Sequence, residues 1–225
     1  HMDSIPKSLA VIGAGVIGSE YATTFQALGV KVTLVCSSAE ILPFLDPELS
    51  EHLRLQMGFL GLELRRNTTL VETVLDASPV AVLLRLSTGD LWVERVLFAT
   101  GRNGATFKLA LDLAGLTSNE RGLISVNENF QTAMPHIYAA GDVIGFPALA
   151  STSMEQARVA MCHAFDLGYK DRVSEVLPMA IYTIPEVASV GETEATCAKK
   201  GIPCLAGRAS YRGNARGQIA GDLQG

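Results

Sequence analysis

Short apolar runs alternate with amphipathic stretches along this chain, and glycines stand at many of the changeovers. Residues 9–12 form an unbroken apolar run of strand length, the pattern of a parallel strand covered on both faces. From 16 to 28 the apolar positions recur at helical spacing and stop at Gly29, a residue suited to a helix C-cap. Residues 30–36 read as a second strand. Asp46, Pro47 and Glu48 then supply a cap, a first-turn proline and an acid at the positive helix end. That helix is expected to reach about 60 and end at Gly61, with a third strand over 62–65. The region 70–97 has another character. Three runs rich in Val, Leu and Thr, separated at 77–79 and 88–90, predict an antiparallel meander inserted into the parallel sheet. Residues 97–102 read as a buried strand ending at Gly101. Further on, 136–140 reads as a strand, Gly141 and Asp142 as its turn, and 149–167 as a helix. Strands are expected at 179–182 and 202–205, with a short helix opened by Thr193 and ended before Gly201. The stretch from 211 onward has glycines, arginines and little apolar content, and predicts a frayed end.

The order strand, glycine turn, helix, strand at the start carries candidate chemistry. Gly13, Gly15 and Gly18 fit G-x-G-x-x-G, in which the first glycine makes a tight turn, the second lets backbone approach a pyrophosphate, and the third lets helix and strand pack closely. The helix start presents unpaired N–H groups to phosphate charge. Gly13, Gly15, Val16, Ile17 and Gly18 are therefore the expected dinucleotide contacts. Gly101 is expected at the same crevice, where open α/β sheets bind ligands. At the end of the second strand, an acid would normally take a ribose 2′-OH, and a nearby arginine would favour a 2′-phosphate. Here Cys36, Ser37 and Ser38 follow, with no arginine immediately after. Uncharged groups neither repel a phosphate nor strongly hold a hydroxyl, so NAD and NADP both remain open. Cys36 also reads as a small buried residue at a strand end.

Composition narrows the partners. Hydrophobic residues make up 48% of 225, enough for a substantial core. The net charge of −5, without a basic stripe, argues against nucleic acid. No apolar run reaches membrane-spanning length, and none reads as a signal peptide. His1 and Met2 read as a tag remnant. Cys36, Cys162, Cys197 and Cys204 lack C-x-x-C spacing, which argues against a zinc knot or disulfide framework and suits a reducing cytoplasm. No metal ligand set is expected.

Four segments, 13–22 (GAGVIGSEYA), 99–102 (ATGR), 138–145 (YAAGDVIG) and 182–187 (YTIPEV), follow one another in an order that resembles the FAD-dependent pyridine nucleotide–disulfide oxidoreductase family. The resemblance runs from about residue 8 to the end. It implies an α/β fold: a Rossmann-like NAD(P)-binding domain with parallel sheet and meander over 1–121, the returning half of an FAD domain over 122–173, and the start of an α+β interface domain over 174–225. It implies that Asp142 holds the FAD ribityl chain, although the residue alone reads as an ordinary turn aspartate. It also implies that Leu149 and Ala150 aim N–H groups at the flavin. Glu20 would lie beside the nicotinamide carboxamide; read alone, it is a dipole-stabilising acid near the helix start. Val16 stands where some relatives carry a tyrosine lid. Cys162 and His163 have no evident partner in sequence and read as filler.

The family's separate FAD-binding glycine motif, its redox cysteine pair and its closing histidine–glutamate pair have no counterpart here. A piece of a longer enzyme is therefore expected, with no catalytic residue of its own, a complete NAD(P) site and half an FAD site. The second region should then expose apolar surface and hold FAD weakly. The resemblance implies a cytoplasmic, homodimeric parent that takes hydride from a nicotinamide nucleotide. It would hand the hydride to a second such nucleotide, as the stretch 144–151 (IGFPALAS) favours, or to a disulfide. A non-catalytic sensor of NAD(H) needs only residues 13–101.

Overall fold

The computed structural model describes residues 4–75, 81–221 and 223. The separator expected at 77–79 lies outside them. The chain divides into two compact units. The first runs to Gly101 and takes in the residues from Pro178 onward; the second is Arg102–Leu177. This division differs from the three segments expected at 1–121, 122–173 and 174–225. Residues 102–121 belong with the second unit, and the last stretch packs with the first.

In the first unit, β1 (Ser8–Ile12), α1 (Val16–Ala27), β2 (Lys31–Val35), α2 (Pro47–Phe59) and β3 (Glu63–Arg65) alternate. Asp46 caps α2 by accepting from the Glu48 amide at 2.9 Å. After β4 (Leu70–Leu75), β5 (Val82–Leu86) and β6 (Gly89–Val93), β7 (Arg95–Phe98) returns to the parallel sheet, whose order is β3-β2-β1-β7. Strand residues alternate faces. On one face Leu9, Val11, Val32 and Leu34 meet Leu53 and Met57 of α2 and Ala22 of α1. On the other, Ala10, Ile12 and Val35 meet Leu84, Leu86 and Val93 of the meander. β1 is thus covered on both sides, as its apolar run predicts.

Three expectations are corrected here. The meander is its own three-stranded sheet, β4-β5-β6, laid on the parallel one rather than inserted into it. Its second turn is Ser87 and Thr88, because Gly89 and Asp90 already pair with Leu86 and Arg85. β7 is not buried: it is an edge strand that starts at Arg95, and Phe98 is 57% exposed.

The second unit has little regular structure besides α3 (Ala150–Ala164). The strand expected at 136–140 does not form. Its sheet-type pairing is a single bridge between Gln131 and Tyr138, and one bridge cannot hold an extended run. Two backbone segments cross where Gly104 and Gly122 face each other so closely that a Cβ on either would overlap the other's carbonyl. Phe107 and Leu113 are exposed, and so are Phe146 and Phe165, which lie within 122–173 where apolar surface is expected.

In the residues from Pro178 onward, β8 (Pro178–Ile181) pairs antiparallel with β9 (Val187–Val190), followed by α4 (Glu194–Lys200) and α5 (Ala215–Ala220). Residues 202–205, expected as a strand, do not form one. Nor is the last described stretch without structure. Asn214 caps α5 by accepting from the Arg216 and Gly217 amides. Ile181 is buried in the core beneath α1 and α2, which ties this hairpin to the first unit.

Candidate nucleotide-binding site

The three glycines of the turn are required for three different reasons. Gly13 has φ +108, and a Cβ there would run into the Ala99 carbonyl. Gly18 is buried, and a Cβ there would overlap the Gly13 carbonyl oxygen. Gly15 is exposed and faces open space, with nothing within 4 Å of where a Cβ would stand. The first and third glycines therefore build the turn, and the second leaves room on its outer side.

The amides divide in the same way. Gly13 donates to the Val35 carbonyl at 2.9 Å, so its N–H is used within the sheet. Gly15 is the N-cap of α1 and makes no side-chain cap. The first-turn N–H groups of Val16, Ile17 and Gly18 accordingly have no side-chain acceptor, the arrangement that suits an anion. Helix α1 approaches the sheet on small residues, Gly18, Ser19, Ala22 and Thr23, all buried. Thr100 lies against Gly13. Gly101 follows, exposed, with φ +119.

Cys36 is buried, with its thiol 3.1 Å from the Ser38 hydroxyl. Its amide donates to the Arg65 carbonyl and its carbonyl accepts from the Thr68 amide. Ser37 beside it is exposed. Arg66 donates Nη1 to the Ala39 carbonyl at 3.1 Å. A cation thus stands at the loop after β2, although none follows that strand in sequence. Parallel pairing of β2 with β3, Val35 opposite Arg65, puts it there.

Glu20 is the fifth residue of α1, beyond the first turn, and no acid occupies that first turn. The dipole-stabilising reading is therefore corrected. Its Oε1 accepts from the Tyr182 amide at 2.8 Å, and Thr23 Oγ1 accepts from the Ile184 amide at 3.2 Å. Both bonds tie α1 to the hairpin end far along the chain. Glu20→Ala is expected to speed hydrogen exchange at the Tyr182 amide by about tenfold, whereas Glu20→Gln, which keeps an acceptor, holds it near the parent rate. Equal exchange in the two variants, measured by NMR, would contradict this.

In the second unit, Asp142 lies in a 3-10 turn, Gly141–Ile144. Its carboxylate pairs with Arg102 Nη2 at 3.2 Å, and both side chains are half exposed or more. The Gly141 amide donates to the buried Gln156 Oε1 at 2.8 Å, which pins the turn to α3. Leu149 is the N-cap of α3 and supplies no side-chain cap, so Ala150 opens a helix whose first N–H groups lack a side-chain acceptor. An exposed carboxylate for hydroxyl groups and an uncapped helix start for an electron-rich edge suit part of a flavin nucleotide. Cys162 is buried filler, as expected. His163 is exposed, and the fold gives it a partner that the sequence does not show: its Nδ1 is 2.8 Å from the Tyr138 hydroxyl. Gln156 and Arg66 had no sequence signal that marked them, because both act on partners brought by the fold.

Residues 1–164 match the family described as pyridine nucleotide-disulphide oxidoreductase. The chain belongs to this family. The soluble pyridine nucleotide transhydrogenase of Mycobacterium bovis (strain BCG / Pasteur 1173P2) is 47% identical over 225 residues, covering all of this chain and 47% of that protein. The protein of the same name from Marinomonas sp. (strain MWYL1) is 41% identical over 98% of this chain and 47% of its own length. The chain thus spans about half the length of these relatives. Among solved structures, LpdA from Mycobacterium tuberculosis superposes with a TM-score of 0.88 at 28% identity, over all of this chain and 49% of that one. The HOCl-induced flavoprotein disulfide reductase RclA from Escherichia coli gives 0.92 at 24% identity, over all of this chain and 51% of that one, which shows the shared fold. Family membership and the mixed α/β architecture with its parallel sheet agree with the sequence reading. No helix among the described residues is long and apolar enough to cross a membrane.

Proposed function

We propose that this chain forms the nicotinamide-nucleotide site, and one wall of the flavin site, of an FAD-dependent enzyme that passes hydride between NAD(H) and NADP(H). The observation that carries this is the 47% identity over the whole chain with proteins named for that exchange. The glycine turn supports it, with open space at Gly15 and a helix start free of side-chain caps. In this reading the amides of Val16, Ile17 and Gly18 hold the diphosphate, and Ser37 and Gly101 border the bound nucleotide. Glu20, fixed through Oε1, turns Oε2 toward the carboxamide. Asp142, Leu149 and Ala150 take the ribityl chain and pyrimidine edge of FAD. A bound flavin supplies the centre that accepts hydride and returns it; the protein's share is positioning and electrostatics. The exposed apolar side chains of the second unit support the view that further polypeptide covers them. Dimerisation through the region after 174 and a cytoplasmic location belong to the same proposal, as does inactivity of this chain alone.

A chimera tests it. This chain replaces its matching segment in the Mycobacterium bovis transhydrogenase, and transfer from NADPH to thio-NAD is measured. The expected result is a yellow protein with measurable transfer. A yellow chimera that binds nucleotide without transferring hydride would instead favour the sensor reading.

A further inference from the structure

The loop after β2 is where a dinucleotide's adenosine ribose is expected, and its chemistry is set by a residue from the next strand. The parallel register places Arg65 opposite Val35. The Cys36 amide donates to the Arg65 carbonyl at 2.8 Å, and the Asn67 amide to the Ser38 carbonyl at 3.1 Å. The intervening Arg66 is thereby fastened on both sides to the loop 36–38. Its Nη1 reaches over to the Ala39 carbonyl, which fixes the guanidinium across the loop. Arg66 is exposed, and among the described residues no carboxylate lies within ion-pair distance of it. Of two nearby acids, Glu51 is held by Arg54 at 2.6 Å, and that bond, more than the charge of Arg66, keeps its carboxyl below the usual range. Glu40 is exposed in the same loop, where its backbone carbonyl accepts from Ser38 Oγ at 2.7 Å. Among the described residues, the remaining guanidinium N–H donors of Arg66 have no hydrogen-bond acceptor. In the loop so fastened, Ser37 is exposed, and Cys36 replaces the acid that would repel a dianion.

We propose that Arg66, held over the loop after β2 by the Ala39 carbonyl, is the specificity-determining residue that receives the 2′-phosphate of an NADP-type nucleotide, with Ser37 as its neighbour. An arginine matches phosphate with two parallel donors, and one already anchored loses little freedom on binding. The sequence order hides it, because the cation comes from the strand beside β2 and not from the residues that follow it.

This inference rests on the nucleotide-site reading above. Isothermal titration of the chain with 5′-ADP and with 2′,5′-ADP separates the two. The expected result is that 2′,5′-ADP binds at least about tenfold tighter, since the added bonds are charge-assisted. Arg66→Ala brings the ratio of the two affinities close to one, and Arg66→Lys keeps part of it. Binding of 5′-ADP with no preference for 2′,5′-ADP, or a preference unchanged in Arg66→Ala, overturns this inference and leaves the nucleotide site standing. Failure of both nucleotides to bind overturns both.

Discussion

Gly18→Val is expected to cost about 3 kcal/mol of stability and to abolish nucleotide binding. The site has no room for a side chain, because the nearest atom to a new Cβ is a backbone carbonyl oxygen, that of Gly13, and backbone cannot swing aside as a flexible side chain can. Relief requires α1 to lift from β1. Lifting α1 uncovers Ala22 and Val11 and breaks the hold of Thr23 on the Ile184 amide. The damage should therefore reach the hairpin β8–β9, which thermal unfolding together with hydrogen exchange at Ile184 would detect. A variant as stable as the parent would mean that the helix sits farther from the turn than described.

Gly15→Asp should do the opposite to stability and the same to binding. Gly15 is the N-cap of α1, with φ −77 and ψ −172, a conformation open to any residue. Aspartate is among the preferred caps, so stability should hold or rise by up to about 1 kcal/mol. Its carboxylate would stand in the open space that a diphosphate needs. Like charges about 4 Å apart near a surface repel by about 4 kcal/mol before screening, so a loss of at least about a hundredfold in affinity is expected. Thermal melts and titration with NADH check the two halves separately. Together the variants distinguish a glycine needed by the fold from one needed by the ligand.

The residues most legible in sequence are those whose neighbours in space are also neighbours in the chain. Residues 9–18 predict a strand, a turn and a helix because each glycine acts on backbone a few positions away. The caps of α2 and α4 are equally local: Asp46 takes the amide of Glu48, and Thr193 that of Thr196. Strands away from the parallel sheet are less legible. An extended run is a strand only if another strand offers its edge. Residues 136–140 and 202–205 carry suitable side chains and lack that edge. β9 carries the small residues Ala188 and Ser189 and becomes a strand because β8 pairs with it. Helix α5, with one large apolar residue, Ile219, rests on its Asn214 cap rather than on a hydrophobic pattern.

The site divides along the same line. The uncapped helix start after the glycine turn follows from local spacing. The bond from Tyr182 to Glu20 spans 162 positions, and no local pattern announces it. Arg66 is close to Ser37 and Ser38 only through the register of β2 with β3, which the hydrophobic pattern does not fix residue by residue. Cys36 shows the reverse limit. Its position just after β2 is where a ribose is expected, but whether its thiol faces out or in depends on packing, and it faces in.

The proposed function depends most on the first-turn amides of α1 receiving a dinucleotide diphosphate. Titrating the isotopically labelled chain with NADH and following its backbone amide resonances tests this directly. The amides of Val16, Ile17 and Gly18 are predicted to shift most, and saturably. Resonances of those three that stay in place at saturating NADH would contradict the assignment.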